Sequence, residues 1–369
     1  MTTYDVSRIS HAGLREVAYG AYTLVRYTKP LKSLELGNYR SVVYKGDRLV
    51  AFSPPRSTPL QGFQEGCPST KNAVVREFVD GMMIYVWYDA DADRWVKSTR
   101  SCMEGEKVFR RGTKPLSQDR IDEPPTPAEL FETFVQSFAS FYDLLDKTNT
   151  YVFTLMDPTS FNVVKPSSLT CYLTNVYKIL EGNKVLAVPF ESVLQPSFPV
   201  NVLPIHYFRS YEDITGTLSN NSYSMKGFMV YDPLTEKRAK ILNPAFLKVH
   251  DLLSSKPNFN EIVLDSIVAH KNSNELAVLH PDFPKNIEAV ERAILRCANQ
   301  LYSYYLECFV KKAKAHKDFP ALYRTHMYEL HKMYLNSFRQ LGFRMNKTVV
   351  LDYVRNVPAP ILVPLLGIH

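Results

Sequence analysis

The chain has 369 residues, of which 45% are hydrophobic and 22% are charged. These values are ordinary for a folded chain of two domains, or of one large and one small domain, and they argue against a disordered protein. The net charge of +7, from 44 Lys and Arg against 37 Asp and Glu, permits a polyanionic partner without requiring one.

The first 122 residues are predicted to form strands and turns. A hairpin is predicted from 40–44 to 48–52, and further strands over 74–79, 82–88 and 94–99. Asp80 and Gly81 lie between two of these strands. Because glycine tolerates positive φ, this pair predicts a tight turn.

A capping motif marks the next element. Thr126 has the side chain of a helix N-cap, Pro127 suits the first helical position, and Glu129 completes a capping box. Apolar residues then recur at helical spacing up to residue 145. Strands are predicted again from 151 to 231, interrupted by one helix at 190–194.

From Asn243 onward the pattern is helical. Asn243 is predicted to cap a helix that begins at Pro244 and ends near residue 253, and amphipathic stripes follow over 287–308 and 319–338. The chain is therefore predicted to be α+β, with a first domain over 1–255, a helical domain over 256–355 and an apolar tail over 356–369.

The tail contains three prolines, which argue against a helix or a central strand. Two interpretations are open. The tail lies on its own domain, or it is an extended apolar peptide that docks on a partner.

Five cysteines at wide spacings, without a C-x-x-C pair, argue against a disulfide framework and a zinc knuckle. The N-terminus lacks the apolar core of a signal peptide, and no apolar run reaches the length of a membrane span. We therefore expect an intracellular protein of the cytoplasm or nucleus, or a virion component, without membrane insertion.

Five blocks carry a family resemblance, and they occur in a fixed order. The blocks are 40–44 with 51–56 and 62–63, then 76–84, then 96–101, then 150–159 with 163–164, and finally 226–230 with 239–244. In this order they resemble the motifs of the phage-type RNA ligase 1 family, part of the covalent nucleotidyltransferase superfamily. The resemblance covers roughly the whole chain. It implies nucleotidyltransferase or ATP-grasp-like antiparallel sheets followed by an α-helical C-terminal domain.

The resemblance also implies which positions would carry ligase chemistry. In the family, a lysine attacks the α-phosphate of ATP and carries AMP, two glutamates help to hold nucleotide and metal, and a Lys-x-Lys pair neutralises phosphate. The matching positions hold Phe78 for the lysine, Thr154 and Lys226 for the glutamates, and Leu242 for the second lysine of the pair. We therefore predict no catalytic residue, no metal ligand and no cofactor.

Several residues of the motifs are retained: Arg40, Asp80, Gly81, Lys97 and Lys240. They predict a vestigial nucleotide or anion pocket. The alternative is that Asp80 and Gly81 only form a turn and the cations are surface residues.

The predicted function is that of a catalytically inactive, RNA-ligase-like protein with a structural or scaffold role and protein partners. Because proteins of large DNA viruses are similar to this family, a role in a viral particle is expected. One alternative is a non-catalytic RNA-binding module that uses Lys311, Lys312 and Lys314. The other is an active ligase that uses ATP and Mg²⁺. His326 and His331, five residues apart, do not have the spacing of a helical metal site.

Overall fold

The computed structural model describes most of the chain. The described residues are 3–28, 30, 33–104, 125–138, 140–158, 162–189, 193, 198–254, 259–268, 277 and 283–367. The predicted helix at 190–194 therefore lies outside the described residues, except for residue 193. Packing divides the chain into a first unit that ends at Lys248 and a second unit that begins at Val249.

The described strands all belong to the first unit. They are β1 (Thr3–Asp5), β2 (Leu14–Tyr19), β3 (Tyr22–Tyr27), β4 (Val42–Lys45), β5 (Arg48–Phe52), β6 (Val74–Glu77), β7 (Met82–Asp89), β8 (Arg94–Thr99), β9 (Asn149–Met156), β10 (Thr170–Leu180), β11 (Lys184–Val188), β12 (Asn201–Val202), β13 (Ile205–His206), β14 (Gly227–Tyr231) and β15 (Arg238–Leu242). The predicted hairpin of β4 and β5 is confirmed.

The described helices are distributed over both units. They are α1 (Leu60–Gly66), α2 (Pro127–Val135), α3 (Tyr211–Ser219), α4 (Pro244–Ser254), α5 (Phe259–Val268), α6 (Phe283–Tyr305), α7 (Ala321–Met333), α8 (Lys347–Arg355) and α9 (Ala359–Leu366). Short π-helical segments extend α6 over Leu306–Val310 and α7 over Tyr334–Phe338. No described helix has both the length and the apolar character needed to cross a membrane.

Three sheets make up the first unit. The largest has the order β1-β11-β10-β9-β7-β8, with β12 paired in parallel to β10. The second has the order β13-β6-β14-β15 and the third β2-β3-β4-β5, and their strand pairs are antiparallel. Antiparallel sheets followed by helices confirm the predicted α+β class.

Strand β7 shows how the large sheet is covered on both faces. Tyr85 and Trp87 pack with the core of the sheet β2-β3-β4-β5. Ile84 and Val86, which alternate with them, pack with Phe131 of α2. Since successive side chains of a strand point to opposite faces, each face of β7 supports its own core.

The predicted start of α2 is confirmed in detail. The backbone N–H of Glu129 donates to Thr126 Oγ1 at 3.2 Å, and the backbone N–H of Thr126 donates to Glu129 Oε2 at 2.7 Å. Two donors that the helix leaves unpaired are thereby satisfied. The predicted cap of α4 is also present, because Asn243 Oδ1 accepts from the N–H of Ala245 at 2.8 Å.

The prediction that Asp80 and Gly81 form a tight turn between two paired strands is wrong. Strand β6 pairs with β13 and β14, whereas β7 pairs with β8 and β9, so the two residues carry the chain between two sheets. Glycine is required at position 81 because the backbone of Leu155 lies close to it, and not because of a positive φ angle. A Cβ at this position would lie 2.5 Å from the carbonyl oxygen of Leu155.

In the second unit, helix α6 presents the stripe that the sequence predicts. Val290, Ile294, Cys297 and Leu301 recur at three- and four-residue steps and are buried. The five cysteines of the chain are free thiols, and Cys308 is the one that is partly exposed.

The prediction that the prolines bar a helix from the tail is wrong. Residues 359–366 form α9, in which Leu362 and Leu365 are buried among the helices of the same unit. Pro360 lies in the first turn, where backbone N–H groups have no partner within the helix, so it removes no helical hydrogen bond. Pro364 lies inside the helix and removes one. The tail therefore lies on its own unit and is not an extended docking peptide.

Candidate functional site

A cleft of about 700 Å³ opens in the first unit. Residues of β7, β9 and β10 in the large sheet line one part of it, and residues of β14 and β15 in the sheet β13-β6-β14-β15 line another. The connection from β6 to β7 contributes Phe78, Val79 and Gly81. The cleft thus lies where the two sheets meet.

Positive charge dominates this cleft. Among the described residues that line it, seven are basic and Glu77 is the one acid. The basic residues are Arg40, Arg56, Arg76, Arg100, Lys226, Arg238 and Lys240. Burial raises the pKa of Glu77.

Two of these arginines have no counter-charge. The guanidinium of Arg40 makes no hydrogen bond or ion pair within the described part of the chain. Burial, reinforced by the positive charges of Arg238 and Arg100, lowers the pKa of Arg40 to about 10. Arg100 lies over the ring of Tyr27 at 5.3 Å, and its buried Nε has no hydrogen-bond partner among the described residues.

The other buried arginines of the cleft are bonded to main-chain oxygens. Arg238 donates from Nε to the carbonyl of Pro55 at 2.9 Å, and Arg76 donates to the carbonyl of Leu203. These bonds to main-chain oxygens fix the two side chains at the wall of the cleft. The cleft therefore combines fixed cations with the two unpaired guanidinium groups.

The side-chain amine of Lys226 lies next to Phe78, the position that the resemblance matches to the family's lysine. Lys226 Nζ lies 4.4 Å from the ring centroid of Phe78 and 5.6 Å from that of Phe246. The same atom lies 2.9 Å from Asp80 Oδ1. Lys226 is therefore held by one carboxylate and two aromatic faces.

Asp80 has a structural role in this arrangement. Its Oδ2 accepts from the N–H groups of Val163 and Val164 at 2.9 and 3.2 Å, while Oδ1 accepts from Lys226. Asp80 lines a side cavity of about 240 Å³ next to the cleft and is not among the described lining residues of the cleft itself. The carboxylate thereby ties together three separate segments.

The structure brings together most, but not all, of the positions singled out in the sequence. Arg40, Phe78, Gly81, Thr154, Lys226 and Lys240 all line the cleft. Leu242, at the end of β15, and Lys97 are not among its described lining residues. Lys97 is paired with Glu132 of α2, because the alternation along β8 turns it toward that helix.

Lys311, Lys312 and Lys314 belong to the second unit, and all three are exposed. His326 Nδ1 lies 2.8 Å from the hydroxyl of Tyr353, and His331 stacks on Phe309. Within the part of the chain that the structure describes, no three His, Cys, Asp or Glu residues lie together as a metal-binding group.

Sequence reasoning missed Arg100 and Arg238, two of the seven basic residues that line the cleft. The available signal was their position within or beside the family-like blocks, since Arg100 lies in 96–101 and Arg238 directly precedes 239–244. Charge alone could not identify them. Their convergence on Arg40 depends on strands that are far apart in the sequence.

The turn between β14 and β15 contains Glu236, a glutamate whose surroundings disfavour the ionised form of its carboxyl group. Burial and the nearby carboxylate of Asp232 raise the pKa of Glu236 to about 7. Glu236 also has a φ of 56°, and its main-chain oxygen accepts from the hydroxyl of Tyr4 at 2.8 Å. This turn leads directly into Arg238 and Lys240.

The raised pKa of Glu236 predicts that stability falls as pH rises. The folded state keeps the proton that the unfolded state loses near pH 4.5, so the loss develops from about pH 4.5 to 7. We expect Glu236→Gln to be more stable than the wild type by about 1 kcal/mol at pH 8, a value reduced by solvent screening. Urea denaturation at pH 4.5 and pH 8 measures this difference. Equal stability of the two proteins at pH 8 would contradict it.

A divalent metal is the cofactor that the family resemblance implies, and the residues of the cleft do not fit it. Magnesium and manganese prefer carboxylate and other oxygen ligands. Among the described lining residues, Glu77 alone supplies a carboxylate, and it lies among seven cations. The donor set therefore matches an anion better than a metal ion.

Comparisons with known proteins give a structural similarity only. No protein-family model matches the chain, and no curated protein matches it. A solved structure of a Naegleria gruberi RNA ligase variant with ATP and Mn is 16% identical, with a TM-score of 0.39. The similar region covers 54% of the present chain and 58% of the ligase chain.

Another variant of the same Naegleria gruberi RNA ligase, with AMP and Mn, is 15% identical with a TM-score of 0.40 and the same coverage. The present chain thus spans little more than half the length of these solved chains. Both of these solved structures are of an RNA ligase, and each is only 15–16% identical to the chain.

Proposed function

We propose that this protein is a non-catalytic, RNA-ligase-like protein whose first unit binds a phosphorylated ligand in the basic cleft. The observation that carries the proposal is the pair Arg40 and Arg100, two partly buried arginines without a counter-charge among the described residues. Burying an unpaired charge costs free energy, and a bound anion removes that cost. Phosphate groups suit arginine because guanidinium donors match phosphate oxygens in pairs.

The absence of ligase chemistry is the second part of the proposal. Phe78 has no nucleophile, and the amine of Lys226, 4.4 Å from its ring centroid, is engaged with Asp80 at 2.9 Å. An amine that attacks a phosphate needs a free lone pair, and this ion pair holds the Lys226 amine on a carboxylate instead. Binding without covalent transfer is therefore the function that we assign to the cleft.

A structural or scaffold role follows as the biological use of such a protein, with a viral particle as the setting that the family resemblance suggests. Retained phosphate binding would then regulate or stabilise an assembly instead of supporting a reaction. The helix α9, which lies on its own unit, is not the partner-binding element of this proposal. Co-purification of a stoichiometric partner from the native source would support the scaffold role. Isolation of the chain without any partner would count against it.

Covalent transfer is tested directly with α-labelled ATP. The purified full chain is incubated with labelled ATP and either Mg²⁺ or Mn²⁺, and label retained on the denatured protein is measured. We expect none, whereas an active RNA ligase assayed in parallel should be labelled.

Label on the protein would overturn the non-catalytic assignment, and its position would be informative. Among the described residues, Lys226 and Lys240 are the lysines that line the cleft. The variants Lys226→Met and Lys240→Met would show which amine carries the label. Loss of label from Lys226→Met alone would identify a ligase whose nucleophile has moved to another strand.

A further inference from the structure

A basic loop lies along one side of α7 in the second unit. It follows the π-helical segment at the end of α6 and contains four exposed lysines: Lys311, Lys312, Lys314 and Lys317. Two contacts hold the loop in place. Phe309, just before it, stacks on His331 with ring centroids 4.0 Å apart, and His316 Nε2 donates to the main-chain oxygen of Arg324 at 2.8 Å.

The two anchor points define a stripe on α7. Arg324, Tyr328 and His331 are spaced by four and three residues, so they lie on the same side of the helix. Tyr328 is therefore located between the two contacts that hold the loop. Its side chain is 61% exposed, and its ring stacks on no other described ring.

Lysines of the loop and Lys332 of α7 border this stripe. Lys314 pairs with Glu307 at 3.4 Å, and Lys332 lies 3.9 Å from Glu329. The side chains of Lys311, Lys312 and Lys317 make no ion pair in the described part of the chain. Between residues 309 and 350, nine Lys and Arg face two acids. Such a surface attracts a polyanion.

We propose that this side of α7 binds single-stranded nucleic acid, with the loop lysines on phosphates and Tyr328 as a stacking platform. An exposed ring beside spaced lysines matches a strand whose bases are free to stack. An acidic peptide could pair with the lysines but offers no regular series of flat groups to the tyrosine. The surface belongs to the second unit, whereas the cleft belongs to the first.

The test uses a fluorescein-labelled oligouridylate and the full chain. Fluorescence anisotropy measures its Kd between about 50 and 200 mM NaCl. The double variant Lys311→Gln, Lys312→Gln should bind more weakly, and the slope of log K against log salt should fall by about 1.4, or 0.7 per lost phosphate contact. Tyr328→Ala should weaken binding about tenfold with an unchanged slope, because stacking is not ionic. Tyr328→Phe should restore the affinity.

The matched control neutralises two exposed cations earlier on α6, Lys285→Gln with Arg296→Gln, and should leave both Kd and slope unchanged. An equal loss of affinity in this control would overturn the proposal, since binding would then follow net charge alone. So would heparin binding as tight as oligouridylate binding, or full retention of affinity by Tyr328→Ala. Exclusive binding to anionic vesicles or to an acidic peptide would assign the surface to another partner. Loss of anion binding in the cleft variant Arg100→Met with intact oligouridylate binding would show that the two sites are separate.

Discussion

Replacement of Gly227 by alanine is expected to destabilise the first unit by roughly 3–5 kcal/mol, as the sum of backbone strain and overpacking. Gly227 has a φ of 149°, a value that residues with a side chain rarely adopt. A Cβ there would lie 2.2 Å from the carbonyl oxygen of Ile241, which belongs to the backbone of β15. Neither the strand pair nor the φ angle can relax cheaply, because Gly227 is paired with Leu242 in the sheet.

The change at Gly227 should also affect the cleft, since this residue directly follows Lys226 and its main-chain oxygen accepts from Phe78 at 2.8 Å. Urea denaturation of the wild type and Gly227→Ala measures the loss. Gly216→Ala is the matched control, because Gly216 lies within α3 and a Cβ there meets nothing within 4 Å. The control should gain up to about 1 kcal/mol from helix propensity. Similar stabilities of the two variants would refute the close-approach argument.

Replacement of Arg100 by methionine is expected to separate anion binding from folding. In the wild type, inorganic pyrophosphate at about 100 times its Kd should stabilise the folded state by about 2.7 kcal/mol. Arg100→Met should lose most of this stabilisation. Without ligand, the variant should be as stable as the wild type or more stable, because a partly buried charge that has no ionic partner among the described residues has been removed.

The control for Arg100 is Arg56→Met, which changes an exposed arginine of the same cleft. It should retain most of the stabilisation by pyrophosphate, because an exposed guanidinium is already solvated. Thermal or urea unfolding is measured with and without pyrophosphate, at constant ionic strength set with NaCl. If Arg100→Met were much less stable without ligand and still responded fully to pyrophosphate, Arg100 would be a structural residue.

Local features of this fold were predictable because their causes lie within a few residues. The capping box needs only Thr126, Glu129 and the backbone between them, and both hydrogen bonds are present. The buried stripe of α6 is read from the same three- and four-residue spacing that the helix imposes. The hairpin of β4 and β5 needs only two apolar runs and a short turn.

Predictions from local sequence were wrong where contacts with distant parts of the chain outweighed local propensity. Asp80 and Gly81 have the composition of a hairpin turn, but the flanking strands have other partners, so the chain passes from one sheet to another. The tail has three prolines, but two of them lie where a helix lacks hydrogen-bond partners, and burial of Leu362 and Leu365 compensates for the third.

The sequence by itself determined the caps, the helical stripes, most strands and the absence of an amine at position 78. It also indicated a resemblance to RNA ligases, from which the substitution at position 78 was predicted. Only the tertiary structure placed Lys226 over Phe78, drew Asp80 into a structural ion pair and brought Arg40, Arg100 and Arg238 to one cleft. The physical reason is the sequence separation of the interacting residues, because caps and helical periodicity depend on neighbours within one or two turns. The charge of a cleft depends instead on which distant strands pair.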